Sequence, residues 1–374
     1  MNDNEKNLKN SIKEMMSESF SQDKIYQPGN FWKYYELRLY KQIKDNELTK
    51  FRAWAGGVGS GSISSFGGGD EFLLRKFKRN FHPFDDTFNF IDNFFLIKKY
   101  NGFINKLIKI ISAFKFLLIR TAEAKEYYWS MYKDLIKQKY FLIKKIDPDL
   151  IKISDSAFGL NEKNLVYVED KIYTDNFLSQ LLSIHEIKKN TNFNSINSVL
   201  ELGAGIGLLA SAFLKLKKNL KYLIIDIPPA LFFSEYYLKN IGFKVFGYNE
   251  LAKTKHLNVE EIFQNFDVIC LPTWKIKELG QFKFDLFINI SSFQEMEKEQ
   301  SQNYLNILKK NFGKYVYSEN LIKGHKKTNI KNSFGVLNPT SYEDIDKILS
   351  DKFKRISKET TQDKMYQILY KKTF

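Results

Sequence analysis

The sequence predicts an α/β protein with a mostly parallel sheet, preceded by a mainly helical N-terminal region. Three observations support this. Apolar residues follow helical spacing from residue 12 to about 153, and short apolar runs alternate with helical patterns after residue 158. A glycine turn at 203–207 separates a strand from a helix. We therefore expect a helical part over residues 1–155 and an α/β domain over residues 156–374.

The composition excludes several classes of protein. The chain has 374 residues, of which 43% are hydrophobic and 16% aromatic, which excludes a disordered or collagen-like chain. One cysteine excludes a disulfide scaffold and a multi-cysteine metal site. Residues 1–6 do not resemble a signal peptide, and lysines interrupt the longest apolar stretch, 103–119. We therefore expect a cytoplasmic protein.

The net charge of +15 is diffuse except in one stretch, so it does not predict DNA binding. Residues 98–145 contain twelve basic and three acidic residues. On a helical projection, one side opposite a broad apolar face carries Asn105, Lys106, Lys109, Ser112 and Arg120. Two interpretations stay open: a solvated lysine stripe, or a surface for phosphate-bearing substrates or for anionic lipids, which would place the protein peripherally at the inner membrane.

Glycine is scarce, at 19 residues, and seven of these lie between Gly56 and Gly69. The Gly-rich loop 55–70 is not a P-loop, because no strand precedes it and no Gly-Lys-Ser/Thr sequence ends it. It is either a flexible linker or a mobile lid over a binding site.

The C-terminal part alternates strands with helices, which predicts a parallel sheet. The predicted strands are 198–202, 222–226, 267–272, 285–290 and 314–318, followed by an antiparallel pair at 353–357 and 365–371. The predicted helices are 208–216, 230–239, 259–266 and 304–310. A short extended run covers 243–248. Cys270 lies within an apolar strand, where packing is its expected role.

Residues 201–207 (ELGAGIG) join the first of these strands to the first helix. Glycines let the backbone approach a ligand, and Asp226, at the end of the next strand, can accept both hydroxyls of a ribose. A dinucleotide motif needs G-x-G-x-x-G, but here the third glycine is residue 207. Glu201 beside the turn would repel a pyrophosphate and attract a sulfonium or ammonium group. We therefore prefer S-adenosylmethionine to a dinucleotide.

These residues resemble the class I S-adenosylmethionine methyltransferases, and within them the sugar O-methyltransferases of bacterial surface-polysaccharide gene clusters. The narrower resemblance rests on 226–229 (DIPP), 271–272 (LP), 289–296 (NISSFQEM) and 317–320 (YSEN). It covers residues 159–320 well, whereas over residues 1–150 it rests mainly on Phe51 and Arg52. The resemblance implies a Rossmann-like class I methyltransferase fold with an antiparallel C-terminal strand.

The resemblance also implies S-adenosylmethionine as cofactor and S-adenosylhomocysteine as product. At the methionine end of the cofactor it places Glu201, Gly203, Ala204, Gly205 and Gly207. Around the ribose and the adenine, and closing the site, it places Asp226, Ile227, Pro272, Thr273, Trp274 and Asn289. For Trp274, a plain core aromatic stays an open alternative to adenine contact.

Methyl transfer to a sugar hydroxyl calls for a positioned base, because the hydroxyl is a poor nucleophile. The candidate catalytic residues follow strands of the sheet and are Glu295, Glu319 and His325. A helix-capping role for Glu295 and a solvated loop position for His325 stay open. The other histidines have no metal-ligand spacing, so no metal site is predicted, although carboxylates from separate loops could hold Mg²⁺.

The function that the resemblance implies is O-methylation of a sugar hydroxyl in capsule or lipopolysaccharide biosynthesis. The acceptor would be a sugar, a nucleotide sugar or a glycan. Two alternatives stay open: an RNA methyltransferase, suggested by the basic stretch 98–145, and a non-catalytic scaffold of a polysaccharide assembly complex. A homo-oligomer is compatible with each of them.

Overall fold

The computed structural model describes residues 3–54, 122–162, 165–331, 335–360 and 365–373. The Gly-rich loop 55–70 lies outside the described residues. So does the predicted polar helix face that runs from Asn105 to Arg120. Within the described ranges, no helix is long and apolar enough to cross a membrane.

The described N-terminal residues are helical, as predicted. They form α1 (Asp3–Ser21), α2 (Asn30–Asp45), α3 (Phe51–Trp54) and α4 (Ala122–Ile146). Along α2, a buried stripe at spacings of four consists of Phe31, Tyr35, Leu39 and Ile43. This spacing puts the apolar side chains on one face, which packs into the core shared with the C-terminal part.

The C-terminal part is built on an eight-stranded sheet. The strands formed by the described residues are β1 (Tyr167–Val168), β2 (Lys171–Ile172), β3 (Ser198–Leu202), β4 (Lys221–Asp226), β5 (Val245–Phe246), β6 (Val268–Pro272), β7 (Phe284–Ile290), β8 (Phe312–Leu321), β9 (Phe353–Thr360) and β10 (Met365–Lys372). The order in the large sheet is β5-β6-β4-β3-β7-β8-β10-β9, while β1 and β2 form a separate antiparallel pair. Strands β3 to β8 pair in parallel, and β10 runs antiparallel between β8 and β9.

Helices connect these strands. They are α5 (Asp175–Asn190), α6 (Leu208–Leu216), α7 (Pro228–Asn240), α8 (Tyr248–Leu251), α9 (Val259–Asn265), α10 (Lys298–Leu308) and α11 (Tyr342–Leu349). The predicted Rossmann-like class I methyltransferase fold is confirmed, including its antiparallel C-terminal pair. The helix predicted at 304–310 begins earlier, at Lys298, because Gln300 Oε1 accepts a hydrogen bond from the Glu297 N–H and caps a polar first turn.

The centre of the sheet is buried on both faces, as is usual for parallel strands covered by helices. Every residue of β3 is buried, and β3 lies between β4 and β7. The register places Asp226 of β4 beside Pro272 of β6. The carboxyl ends of these strands therefore meet at one edge of the sheet, where open α/β sheets bind their ligands.

A buried ion pair joins α3 to the last residue before the predicted boundary, Asp155. The Arg52 guanidinium contacts the Asp155 carboxylate at 2.7 Å, and both side chains are fully buried. Thr174 and Tyr237 also donate hydrogen bonds to Asp155. Burial alone would raise the pKa of Asp155, but the charge and hydrogen bonds of Arg52 hold it below its ordinary value. Breaking such a pair leaves an uncompensated buried charge. The hydrogen bonds from Thr174 and Tyr237 connect the pair to the C-terminal part.

Candidate functional site

The glycine turn between β3 and α6 has a left-handed backbone at three positions. Gly203, Gly205 and Gly207 have φ angles of 82°, 62° and 80°. A Cβ atom on Gly203 would lie 2.0 Å from Ser292 Oγ, so no larger residue fits there. The carbonyl of half-buried Ala204 accepts the Gly207 N–H at 3.1 Å. The turn therefore brings bare backbone and the N-terminus of α6 to the edge of the sheet.

Glu201 lies beneath this turn on β3 and is only 3% exposed. The Tyr222 hydroxyl donates a hydrogen bond to its Oε2 at 2.7 Å. Burial raises the pKa of Glu201 to about 8, and the nearby charge of Asp226 adds to this rise. A cation bound at the turn would offset the cost of ionising this carboxyl group.

Asp226 ends β4 and faces the glycine turn. Its Oδ2 accepts the Gly205 N–H at 2.9 Å, and its Oδ1 accepts the Ile227 N–H at 2.8 Å. Burial raises its pKa to about 7 despite these backbone hydrogen bonds. Ile227, the residue before α7, lines the same cleft. The site thus holds two carboxyl groups whose ionisation increases as the pH rises from 6 to 8.

Asn289 is buried in β7, where its side chain makes hydrogen bonds to protein groups. Its Nδ2 donates to the Leu202 carbonyl at 2.8 Å, and its Oδ1 accepts the Phe293 N–H at 3.1 Å. Asn320 Nδ2 donates to the same Oδ1 at 3.0 Å. Asn289 therefore fixes the loop after β7 against the end of β3.

The residues predicted to flank the adenine lie in different surroundings in the structure. Pro272 ends β6 beside Asp226, and the Thr273 hydroxyl donates to the Tyr26 carbonyl at 2.7 Å. Trp274 is 8% exposed, and its Nε1 donates to Glu18 of α1 at 3.0 Å. Thr273 lines the cleft, whereas Trp274 packs beneath α1, a position that favours its alternative interpretation as a core aromatic.

A small cleft, partly open to solvent, lies at this edge of the sheet. Of the predicted residues, it is lined by Gly203, Asp226, Ile227, Thr273 and Glu295. The residues that sequence reasoning missed include Gln27, Trp32, Ser292, Met296, Gln300 and Tyr304. Ser292 and Met296 were part of the quoted motif at 289–296. In the sequence, the others are indistinguishable from ordinary helix and loop residues.

The structure brings one of the three catalytic candidates into the cleft. Glu295 lies in a short 3₁₀ turn after β7, is 5% exposed, and accepts a hydrogen bond from Trp32 Nε1 at 3.1 Å. A carboxylate has room for several hydrogen bonds, so Glu295 can also accept one from a ligand hydroxyl. It does not cap α10; that position belongs to Glu297.

Glu319 and His325 lie elsewhere. The Glu319 carboxylate points toward α5, where it accepts hydrogen bonds from the hydroxyls of Ser183 at 2.9 Å and Tyr317 at 2.8 Å. Burial raises its pKa. The His325 ring packs on Phe31 of α2, with ring centroids 4.7 Å apart. Neither residue belongs to the wall of the cleft as it is formed by the described residues.

Two further predictions concern metal and cysteine. Among the described residues, no group of three or more His, Cys, Asp or Glu side chains has an arrangement that could hold a metal ion. Cys270 is buried in β6, and burial raises the pKa of its thiol well above the ordinary value. A thiol in that state is a packing group and a poor nucleophile.

No protein-family model and no curated protein matches the chain. Several solved structures match part of it. A SAM dependent methyltransferase from Aquifex aeolicus is 13% identical, with 51% of this chain and 89% of that chain covered and a TM-score of 0.36. Magnesium protoporphyrin IX methyltransferase from Synechocystis PCC 6803 is 13% identical, with coverage of 53% and 83% and a TM-score of 0.36. Mitomycin 7-O-methyltransferase is 11% identical, with coverage of 53% and 58% and a TM-score of 0.35.

Proposed function

We propose that the protein is an S-adenosylmethionine-dependent O-methyltransferase that methylates a sugar hydroxyl in surface polysaccharide biosynthesis. One observation carries the proposal. The cleft combines a left-handed glycine turn with the carboxyl group of Asp226 at the end of the neighbouring strand, and Glu201 lies directly beneath the turn.

The residues present fit this cofactor. The two oxygens of Asp226 can accept the two hydroxyls of a ribose, in place of the backbone N–H groups that they accept now. The carboxyl groups of Asp226 and Glu201 favour a ligand with sulfonium and ammonium charges. No Lys or Arg is found among the described residues that line the cleft, which argues against a pyrophosphate ligand. When bound, S-adenosylmethionine supplies an activated methyl group.

The cleft also has groups that suit a sugar acceptor. Glu295, Gln27 and Gln300 contribute carboxylate and amide groups that can hydrogen bond to hydroxyls, and Trp32 contributes an aromatic surface. The sugar assignment rests on the resemblance of residues 289–296. An RNA acceptor suits this cleft less well. The described residues that line the cleft include acidic groups, and no Lys or Arg that could pair with phosphates.

The first test measures cofactor binding by isothermal titration calorimetry. We expect wild-type protein to bind one S-adenosylmethionine per chain, and Asp226→Ala to weaken binding roughly 100-fold, because charge-assisted hydrogen bonds of about 1.5–3 kcal/mol each are lost. Asp267→Ala is the matched control, since this acid precedes β6 at the opposite end of the sheet and should bind normally.

Unchanged affinity in Asp226→Ala, with circular dichroism like that of the wild type, would contradict the site.

The acceptor class is tested in the producing cells by mass spectrometry of the surface polysaccharide. Replacing the wild-type gene by the Glu201→Ala variant should remove one methyl increment. A polysaccharide of unchanged mass would reject the sugar assignment even if the cofactor binds.

A further inference from the structure

The cleft is completed by a side chain from the N-terminal part of the chain. Trp32, on the first turns of α2, donates its indole N–H to Oε2 of Glu295 at 3.1 Å across 263 residues of sequence. Both side chains line the cleft. A hydrogen bond to a carboxylate is stronger than one between neutral groups, so it can hold the Glu295 side chain in one orientation.

The position of Trp32 is fixed by contacts of the residues around it. The backbone N–H of Asn30 donates to Glu297 Oε1 at 3.3 Å, and Asn30 Nδ2 donates to the Gly335 carbonyl at 3.0 Å. Just before α2, the Gln27 carbonyl accepts a hydrogen bond from Gln300 Nε2 at 2.7 Å. The start of α2 is therefore attached to α10 and to the segment around Gly335.

Hydrogen bonds also fix the backbone at Glu295. Its N–H donates to the Ser292 carbonyl at 3.0 Å, and the preceding Gln294 N–H donates to Asn320 Oδ1 at 3.2 Å. Asn320 in turn contacts Asn289. Because both partners of the Trp32–Glu295 hydrogen bond lie on fixed backbone, the carboxylate is preorganised in the cleft.

The charges of the cleft restrict what can approach Glu295. The described residues that line the cleft include two with carboxyl groups, Asp226 and Glu295, and no Lys or Arg. The Asp226 oxygens accept the N–H groups of Gly205, in the glycine turn, and of Ile227. Glu295 is thus the carboxylate placed to meet an acceptor, and an acceptor with its own phosphate or carboxylate nearby would be repelled.

We propose that Glu295 accepts the proton of the acceptor's hydroxyl, that Trp32 is the positioning residue that orients it, and that the acceptor is an uncharged sugar ring. This inference rests on the proposed function. The carboxylate takes the proton as the hydroxyl oxygen bonds to the methyl carbon, while the carbon–sulfur bond breaks and leaves its electron pair on sulfur. Trp32 does not exchange a proton in this step.

The hydrogen bond is tested first, by NMR of full-length protein labelled with ¹⁵N-tryptophan. The chain has four tryptophans, and Trp32→Phe identifies the indole signal of Trp32 by its loss. We expect Glu295→Gln to move this signal by much more than its linewidth, because an amide oxygen accepts more weakly than a carboxylate. Glu18→Gln is the matched control and should move only the signal of Trp274.

A Trp32 signal that stays in place in Glu295→Gln overturns the proposal. These spectra need no cofactor, so they remain informative even if S-adenosylmethionine does not bind. Failure of the proposed function would appear in calorimetry instead, which separates the two outcomes.

The second test measures methyl transfer from labelled S-adenosylmethionine to methyl glucosides, galactosides and mannosides. We expect Trp32→Phe to lower kcat about tenfold or more, and Glu295→Gln to lower it further, with unchanged cofactor Kd in both variants. Glucuronides and sugar phosphates should be poorer acceptors. A wild-type kcat in Trp32→Phe, equal transfer to charged glycosides, or no transfer to any neutral glycoside by the cofactor-bound protein would each overturn the proposal.

Discussion

At the scale of single residues, buried carboxyl groups distinguish this protein. Glu201 and Asp226 lie at the cleft, where a cationic ligand would offset their charges. Glu36 of α2 is another case, with 2% exposure and, among the described residues, no hydrogen-bond partner for its Oε1. An ionised carboxylate in that position costs stability, because burial removes its hydration without replacing it. Burial raises the pKa of Glu36 from 4.5 to about 7, although the charge of Lys33 opposes this rise.

Glu36→Gln should therefore stabilise the protein at alkaline pH. The folded protein holds the proton of Glu36 more tightly than the unfolded chain, so this group favours folding below pH 4.5 and loses that contribution as the pH rises through 7. The difference is at most ~3 kcal/mol. Urea unfolding should show Glu36→Gln more stable than wild type at pH 8 and similar to it at pH 5.

The exposed Glu47→Gln serves as control for this prediction and should change the free energy of unfolding little at either pH. If Glu36→Gln proved less stable than wild type at pH 8, the carboxylate would be held by interactions that compensate for its burial, and the prediction would be wrong.

At the scale of elements, the site depends on how closely the glycine turn approaches the loop after β7. Ser292 occupies the space in which a side chain at Gly203 would lie. Ser291 has a φ angle of 56°, so this loop also adopts a left-handed backbone at a non-glycine residue. Asn289 holds the same loop to the Leu202 carbonyl. The turn and the loop therefore form one unit, and displacing either moves Glu295 as well.

Gly203→Ala should displace this unit and abolish cofactor binding. The substitution combines a strained φ of 82° with a steric clash against Ser292. Gly242→Ala is the matched control, because Gly242 has a φ of 98° but an added Cβ would contact nothing within 4 Å. We expect both variants to lose about 1–2 kcal/mol of stability from backbone strain, and only Gly203→Ala to lose affinity in calorimetry. Equal affinity in the two variants would show that the close approach of turn and loop does not matter for binding.

At the scale of the whole molecule, the N-terminal helices form part of the site as well as of the core. Backbone carbonyls of Ile25, Tyr26 and Gln27 accept hydrogen bonds from Tyr304, Thr273 and Gln300. Phe51 of α3 also stacks on Phe233 of α7, with ring centroids 4.9 Å apart. The predicted boundary at residue 155 is thus crossed by both polar and aromatic contacts.

A fragment of residues 156–374 should be less stable than the full chain and should bind cofactor more weakly. It exposes the apolar surface that the N-terminal helices cover, and Tyr304, Thr273 and Gln300 lose their partners. We expect a Tm lowered by more than about 5 °C, or aggregation, in calorimetric scans. Residues 1–155 added in trans should restore part of the affinity. A monomeric fragment with the Tm and the cofactor affinity of the full chain would show that the C-terminal part is independent.

Much of this protein was determined by the sequence itself. The strands at 198–202 and 285–290, the helix at 208–216 and the glycine turn follow from local periodicity and from backbone angles that only glycine adopts easily. Only the tertiary structure decided which side chains meet. Alternate residues of a strand face opposite sides of the sheet, so Glu319 turns toward α5 although it is close in sequence to other site residues. Trp32 reaches Glu295 across 263 residues because helix packing, and no local pattern, brings them together.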